Sequence, residues 1–349
     1  MDKKHGLMAK PLKDISFSFF AILLAFVIGS ILILILGESP IKVYTALIEG
    51  ALGSTRAVAN TLSKTVPLIF TGLAVSVALR SGLFNIGVEG QLHLGAMAGI
   101  SVALALPNAG KLVIIPLILL AGIVTGGVWG SIPGYIKARH GINEVIVSIM
   151  LNYIAILFTS YLVNDPLKAE GNVAQTKIIS EAARLTKLVP NTQLTTSLFI
   201  AIAVIIIAYL LLWKTSLGFR LRAVGSNASA GEAAGINPGK SMIIAMAISG
   251  GIAALAGLCE VLGKYYRFIE GFSPSYGFTG IAVAILGRNH PFGVILTALL
   301  FGILDAGALR MDRLTSISSN MVMVIQSLVI LFVAAPEIIK VFSLRKEHV

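Results

Sequence analysis

Long apolar runs recur along this chain between short polar gaps, and they restrict the fold more than any other feature. Thr196–Trp213 and Ser241–Leu258 are two of them. Runs of about 18 or more residues with few charges read as membrane-spanning helices. In hydrocarbon each backbone polar group must be satisfied within its own segment, which a helix achieves. Composition agrees: 56% of residues are hydrophobic, 12% are charged and the mean hydropathy is +0.90. A soluble domain carries more charge than that. The formal net charge of +11 is no nucleic-acid signature, because the basic residues are scattered through the gaps between spans. Membrane orientation accounts for them.

About ten spans account for the runs: 15–36, 58–79, 87–106, 112–136, 145–163, 194–213, 241–260, 277–287, 292–309 and 319–341. The eighth is short, so it is expected to be broken or fused with the ninth. Lys3, Lys4, Lys10 and Lys13 precede a first run that is too long for a cleavable signal and lacks an Ala-x-Ala site, so that run is expected to be retained. Arg80, Lys137, Arg139 and Arg288 fall at predicted inner ends, and the positive-inside rule then places both termini in the cytoplasm. The expected fold is an all-α integral membrane protein, with residues 1–349 forming one transmembrane domain. Segments of about 37–57 and 164–193 would lie on the outer face, and about 214–240 on the cytoplasmic face.

Glycines indicate how the spans pack. Gly122, Gly126, Gly130 and Gly134 recur every fourth residue, as do Gly95 and Gly99. That spacing lines one helix face and lets backbones approach closely. Thr71–Arg80 (TGLAVSVALR) is echoed by Thr279–Arg288 (TGIAVAILGR), a match too short in the small alphabet of membrane segments to build on.

Catalytic chemistry has little to work with. His5, His93, His140, His290 and His348 are isolated, Cys259 is the single cysteine, and no G-x-S-x-G elbow is present. Gly235–Ser241 (GINPGKS) resembles a phosphate loop only until counted. Three residues separate its glycines where four are needed, and no strand precedes it. Pro238 fits the first turn of the seventh span, where its missing N–H is no loss.

Polar residues inside the oily chain remain to be explained. In Arg80–His93 (RSGLFNIGVEGQLH), Gly82, Gly87 and Gly90 permit irregular backbone. Asn85, Glu89 and Gln91, with Phe84 beside them, either line a pathway for a polar solute or cap two helices near the inner surface. Asn143 and Glu144 read as the cap and N-terminal charge of the fifth span. Asn152 shares a face with Ser148 deeper in that span. It is a further pathway candidate, or else an interhelical hydrogen-bonding group. Glu89, Glu144, Glu260 and Asp305 are expected near span ends, which weakens an ion-driven carrier, since that requires a carboxylate within the membrane. Phe84, Tyr153, Phe158 and Tyr276 are available for stacking but are more often packing groups or interfacial anchors.

Residues 217–240 (LGFRLRAVGSNASAGEAAGINPGK) are polar and basic between two apolar runs. They must protrude into water, where another protein can grip them. A short helix over Ser229–Gly235, capped by Ser226 or Asn227, is expected there. Arg220 and Arg222 are placed to pair with carboxylates of a partner.

GLFNIGVEGQ (82–91), GINEVIVSIMLN (141–152), LRAVGSNASAGEAAGIN (221–237) and GFTGIAVAILGRNHPFG (277–293) together resemble the permease subunits of ABC importers, more narrowly the nucleoside and simple-sugar branch related to branched-chain amino acid permeases. The resemblance runs over nearly the whole chain in the right order. It implies a ten-helix, large-cavity importer fold, a second permease subunit, two ATP-binding subunits on the cytoplasmic face and an extracytoplasmic solute-binding protein. ATP and magnesium would sit in the partner, with no cofactor in this chain. Glu232-Ala233-Ala234-Gly235 is similar to the EAA-x-x-x-G coupling loop of importer permeases, although here the glycine follows immediately. The coupling residues so implied are Arg220, Arg222, Gly225, Asn227, Glu232, Ala233, Ala234, Gly235, Ile236 and Asn237. The implied cargo is a nucleoside. A simple sugar is the alternative, and an ion-coupled carrier is the reading from another class.

Overall fold

The computed structural model describes Phe20 and residues 22–332. Both termini, with Lys3, Lys4, Lys10, Lys13, His5, Lys340, Arg345, Lys346 and His348, lie outside the described residues, as do the start of the first predicted span and the end of the last. The described chain is helical, with two isolated bridges, Gln175 with Ile269 and Lys187 with Thr195, in place of a sheet. In order the helices are α1 (Ile22–Ile35), α2 (Pro40–Leu52), α3 (Thr55–Arg80), α4 (Val88–Ala105), α5 (Lys111–His140), α6 (Glu144–Asn164), α7 (Ser197–Lys214), α8 (Ser216–Ser226), α9 (Ala228–Ala233), α10 (Pro238–Glu260), α11 (Tyr276–Leu286), α12 (Pro291–Leu314) and α13 (Asn320–Phe332). A π-helical turn, Val261–Tyr265, prolongs α10.

Every predicted span contains one of these helices. Six are long and apolar enough to cross a membrane alone: α3, α5, α6, α7, α10 with its π turn, and α12. The pair α1 and α2, bent by 118° at a short break, passes the same test together. The short eighth span is α11, separate from α12, because Arg288 and Asn289 both adopt left-handed backbone (φ 55° and 53°) in the turn between them. Arg80 holds that turn, donating from Nε to the Asn289 carbonyl (2.9 Å) and from Nη2 to the Arg288 carbonyl (3.0 Å). The segment 164–193, expected on the outer face, is irregular beyond the end of α6 apart from a 3₁₀ turn, Glu181–Ala183.

The chain divides into two compact units. Among the described residues, one comprises those up to Thr61 and those from Leu300 to Phe332. Its core is Ile33, Val43, Leu47, Leu304, Met311 and Val322. There α2 meets α12 at a pair of glycines: a Cβ on Gly50 would lie 3.1 Å from Gly307 Cα, and one on Gly307 would lie 2.2 Å from the Leu47 carbonyl oxygen.

The other unit, Leu62–Leu299, is built around α4, whose residues are buried along most of their length against α5, α6, α10 and α11. The glycine ladder of α5 packs on α10 as its spacing predicts. A Cβ on Gly126 would come within 2.4 Å of the Gly250 carbonyl oxygen, and one on Gly130 within 2.6 Å of that of Met246. Gly95 of α4 abuts Ala254 in the same way. The echoed segments also touch: Gly280 packs on Thr71, and Gly72 on Val283.

Candidate functional site

Between α3 and α4 the helix breaks at Ser81–Gly87. The break is held by polar side chains on three different helices. Gly82 takes φ +74°, a left-handed conformation that suits glycine. Beyond it the backbone N–H of Gly87 donates to Asn85 Oδ1 (3.0 Å). Asn85 Nδ2 in turn donates to Gln91 Oε1 (2.9 Å) and to Ser249 Oγ (2.8 Å), while Gln91 Nε2 donates back to Asn85 Oδ1 (3.1 Å). Ser249 Oγ in turn donates to the Ala74 carbonyl at 2.6 Å. From α6, Asn152 accepts from Gly90 N–H (2.7 Å) and donates to the Ile86 carbonyl (2.8 Å). Asn85, Gln91 and Asn152 are buried, whereas Phe84 is half-buried. The network therefore closes on itself, each amide satisfied within the protein.

Glu89 is buried and ties two helix N-termini together. It lies in the first turn of α4, and its Oε2 accepts the N–H of Gly277 in the first turn of α11 at 2.6 Å. Both helix dipoles present their positive ends to it. His93, one turn later, donates from Nδ1 to the Glu89 carbonyl (2.9 Å) and packs against Phe272. Glu89 thus joins the start of α4 to the start of α11. Glu144 sits at the start of α6, where it accepts from the Phe84 N–H (3.3 Å) and pairs with Lys137, while Asn143 caps the helix through the Val145 N–H.

The segment after α7 folds as two short helices. Thr215 caps α8 by accepting from the Gly218 N–H (3.0 Å), and Asn227 caps α9 by accepting from the Ala230 N–H (3.0 Å). Of the two expected caps it is Asn227 that serves, since Ser226 instead donates to the Arg222 carbonyl. The expected helix over Ser229–Gly235 starts one residue earlier and ends at Ala233, because Gly235 turns left-handed at φ +80°. Asn237 caps α10 through the Lys240 N–H, with Pro238 in its first turn. Arg220, Asn227, Glu232, Ala233, Ala234, Gly235 and Asn237 are exposed, whereas Arg222, Gly225 and Ile236 are half-buried.

The segment and the break are in direct contact. A Cβ on Gly225 would lie 2.3 Å from the Arg80 carbonyl oxygen and 2.8 Å from the Gly82 nitrogen, and one on Gly82 would lie 3.1 Å from Gly225 Cα. Leu221 of α8 packs beside Leu83, Ala78, Ala245 and Met246. The coupling residues and the pathway candidates, predicted separately, are therefore joined by one backbone-to-backbone contact. Ser249, which completes the network, carried no sequence signal, since a serine before two glycines is ordinary in membrane helices, and Gly277 was marked only as the start of the 277–293 motif and not as a partner of Glu89.

Residues 57–334 match the family described as branched-chain amino acid transport system / permease component. The chain is 38% identical over 331 residues to the nucleoside ABC transporter permease protein NupB of Lactococcus lactis subsp. cremoris, covering 92% of this chain and 91% of that protein. It is 38% identical over 334 residues to the guanosine ABC transporter permease protein NupP of Bacillus subtilis, covering 94% and 95%. It is also 36% identical over 332 residues to the glucose ABC transporter permease protein TsgB13 of Haloferax volcanii, covering 91% and 87%.

Proposed function

Because the chain belongs to the permease family of branched-chain amino acid transport systems, we propose that it carries nucleosides inward and is worked through α8 and α9 by ATP-binding partners. It is a multi-pass protein of the cell membrane and a transport component, not an enzyme. The cargo reading is supported by the two nucleoside-named relatives at 38% identity. The glucose-named relative at 36% does not favour the alternative of a simple sugar over a nucleoside.

The observation that carries the coupling reading is the Gly225–Gly82 contact. Closure of two ATP-binding subunits pushes on the exposed ridge of α9, where small side chains around Glu232 allow close docking. Residues 1–349 act as one transmembrane domain in this reading, beside a second permease chain. Backbone pressed on backbone has no soft side chain to absorb the motion, so displacement of α8 reaches the turn at Ser81 and Gly82. Asn85, Gln91 and Asn152 keep the broken segment rigid, so it moves as a piece, with Glu89 carrying the motion to α11. Half-buried Phe84 lies on that piece and borders the pathway. An extracytoplasmic binding protein supplies cargo affinity, so the permease itself needs only weak contacts.

The test is uptake of labelled guanosine, adenosine, uridine, ribose and glucose by cells carrying the whole transporter, comparing intact protein with Glu232→Lys and Gly235→Trp. Uptake of a nucleoside lost in both variants, with the protein still in the membrane, is the expected result. Nucleoside uptake unchanged in both would remove α9 from the mechanism, and uptake of a sugar alone would replace the cargo.

A further inference from the structure

Trp213, near the end of α7, is flanked by two guanidinium groups. Arg80 Cζ lies 5.4 Å and Arg222 Cζ 5.8 Å from its ring centre. Tyr209 stacks on the same indole at 5.6 Å, and His290 meets it edge-on at 4.7 Å. Each cation–π contact is favourable, yet the two cations repel one another. Neither has an ion pair with a carboxylate among the described residues.

The two arginines differ in how they are satisfied. Arg80 spends Nε and Nη2 on the Asn289 and Arg288 carbonyls. The Nε of Arg222 is buried without a hydrogen-bond partner among the described residues. Asn289 Oδ1, in the turn that Arg80 holds, is likewise buried and unpartnered. Buried polar atoms are nearly always paired, so the cluster lacks an anion with acceptor oxygens and a neighbouring donor.

The surroundings indicate which anion. Phe292 packs against Tyr209 and His290, yet is 53% exposed; Leu296 and Leu210 are exposed beside it on α12 and α7. Exposed apolar side chains of spanning helices face hydrocarbon, so the cluster opens toward lipid. Phe219, three residues before Arg222 and therefore on the same helix side, is also exposed. The α9 ridge, in contrast, presents Ser229, Ala230, Glu232 and Ala233, small or polar groups suited to protein. Aromatic and basic residues at the end of a span mark the membrane interface, and basic pockets between helices on the cytoplasmic side hold anionic headgroups.

We propose that Arg222 and Arg80 bind the phosphate of an anionic phospholipid over Trp213, with an acyl chain along Leu210, Phe292 and Leu296. A hydroxylated headgroup such as that of phosphatidylglycerol donates to Asn289 Oδ1. The site joins the end of α3, the end of α7, the coupling helix α8 and the α11–α12 turn, so a bound lipid fixes the position of α8.

Native mass spectrometry of the complete transporter in detergent, titrated with phosphatidylglycerol or phosphatidylcholine, tests this. The intact protein retains phosphatidylglycerol with a preference of roughly tenfold or more, as two basic contacts at the membrane surface provide. Arg222→Gln loses that preference, while Arg220→Gln, on an exposed residue of the same helix, keeps it. Excess inorganic phosphate leaves the bound lipid in place. Three outcomes overturn the proposal: equal retention of both lipids by intact protein, displacement of lipid by free phosphate, or an unchanged preference in Arg222→Gln. If the last is accompanied by loss of the ATP-binding subunits, the missing anion is a carboxylate of that partner.

Discussion

Asn85 shows what a single buried amide does in this protein. It accepts from the Gly87 N–H and bonds both Gln91 and Ser249, so one side chain fixes the break, the start of α4 and the middle of α10. Replacing it with leucine strands the Gly87 N–H and the Gln91 amide where water cannot reach them, while Ser249 keeps its bond to the Ala74 carbonyl. An orphaned buried group costs about 1–3 kcal/mol, although interhelical hydrogen bonds in membranes average nearer 0.6 kcal/mol. Asn85→Leu should therefore lower the thermal stability of the solubilised complex by several degrees while leaving the cargo concentration for half-maximal uptake unchanged in the fraction that remains folded. A shift in that concentration at full stability would mean that Asn85 touches cargo. The sequence marked Asn85, Glu89, Gln91 and Asn152 as unusual, since polar residues in oily runs need a reason. It left open whether they meet cargo or each other, because that depends on which helices surround α4. Glu89 shows the limit most plainly: its place along the chain reads as a helix start, while its partner, the Gly277 N–H of α11, lies 188 residues away.

Among the elements, α5 and α10 were the most legible. A four-residue glycine period can only line one helix face, and the structure puts Gly126 against Gly250 and Gly130 against Met246 with backbone atoms in contact. A Cβ on Gly250 would lie 2.1 Å from the Gly126 carbonyl oxygen, and backbone cannot swing aside as a side chain can. Gly250→Val should push the two helices apart and cost about 1–3 kcal/mol or more, the range for overpacked cores. It should appear as reduced yield of folded protein and a lower unfolding temperature. Full stability in that variant would show that the helices meet elsewhere. Less legible was α2, which lies within a predicted outer segment, because Lys42 and Glu49 interrupt its apolar pattern and its meaning comes from the 118° bend after α1. Both α8 and α9 were foreseen as one protruding segment. Their division at Asn227, whose side chain caps α9 while its backbone N–H ends α8 on the Ala223 carbonyl, follows from local capping.

At the scale of the whole molecule, the features that the sequence presented as separate clusters form one line of contact within the larger unit. The exposed α9 ridge leads to α8, Gly225 of α8 rests on Arg80–Gly82, and the segment beyond Gly82 is pinned by Asn85 and Asn152. Glu89 then joins that segment to α11. The sequence marks Gly82 for irregular backbone and Gly225 within the coupling segment, but nothing in it pairs the two. Their significance lies in meeting each other across about 140 residues of chain, and no local pattern records such a meeting. In the proposed mechanism this contact converts movement of the cytoplasmic segment into movement of the membrane core. The most direct test is the ratio of cargo taken up to ATP hydrolysed, measured in proteoliposomes holding the complete transporter, with intact protein and with Gly225→Ala. The added methyl would meet the Arg80 carbonyl oxygen and displace α8 from the turn. If the contact transmits the motion, the assembled variant still hydrolyses ATP, and its uptake per ATP falls by roughly tenfold or more, which corresponds to about 1.4 kcal/mol of lost coupling. An assembled variant with an unchanged ratio would contradict the account.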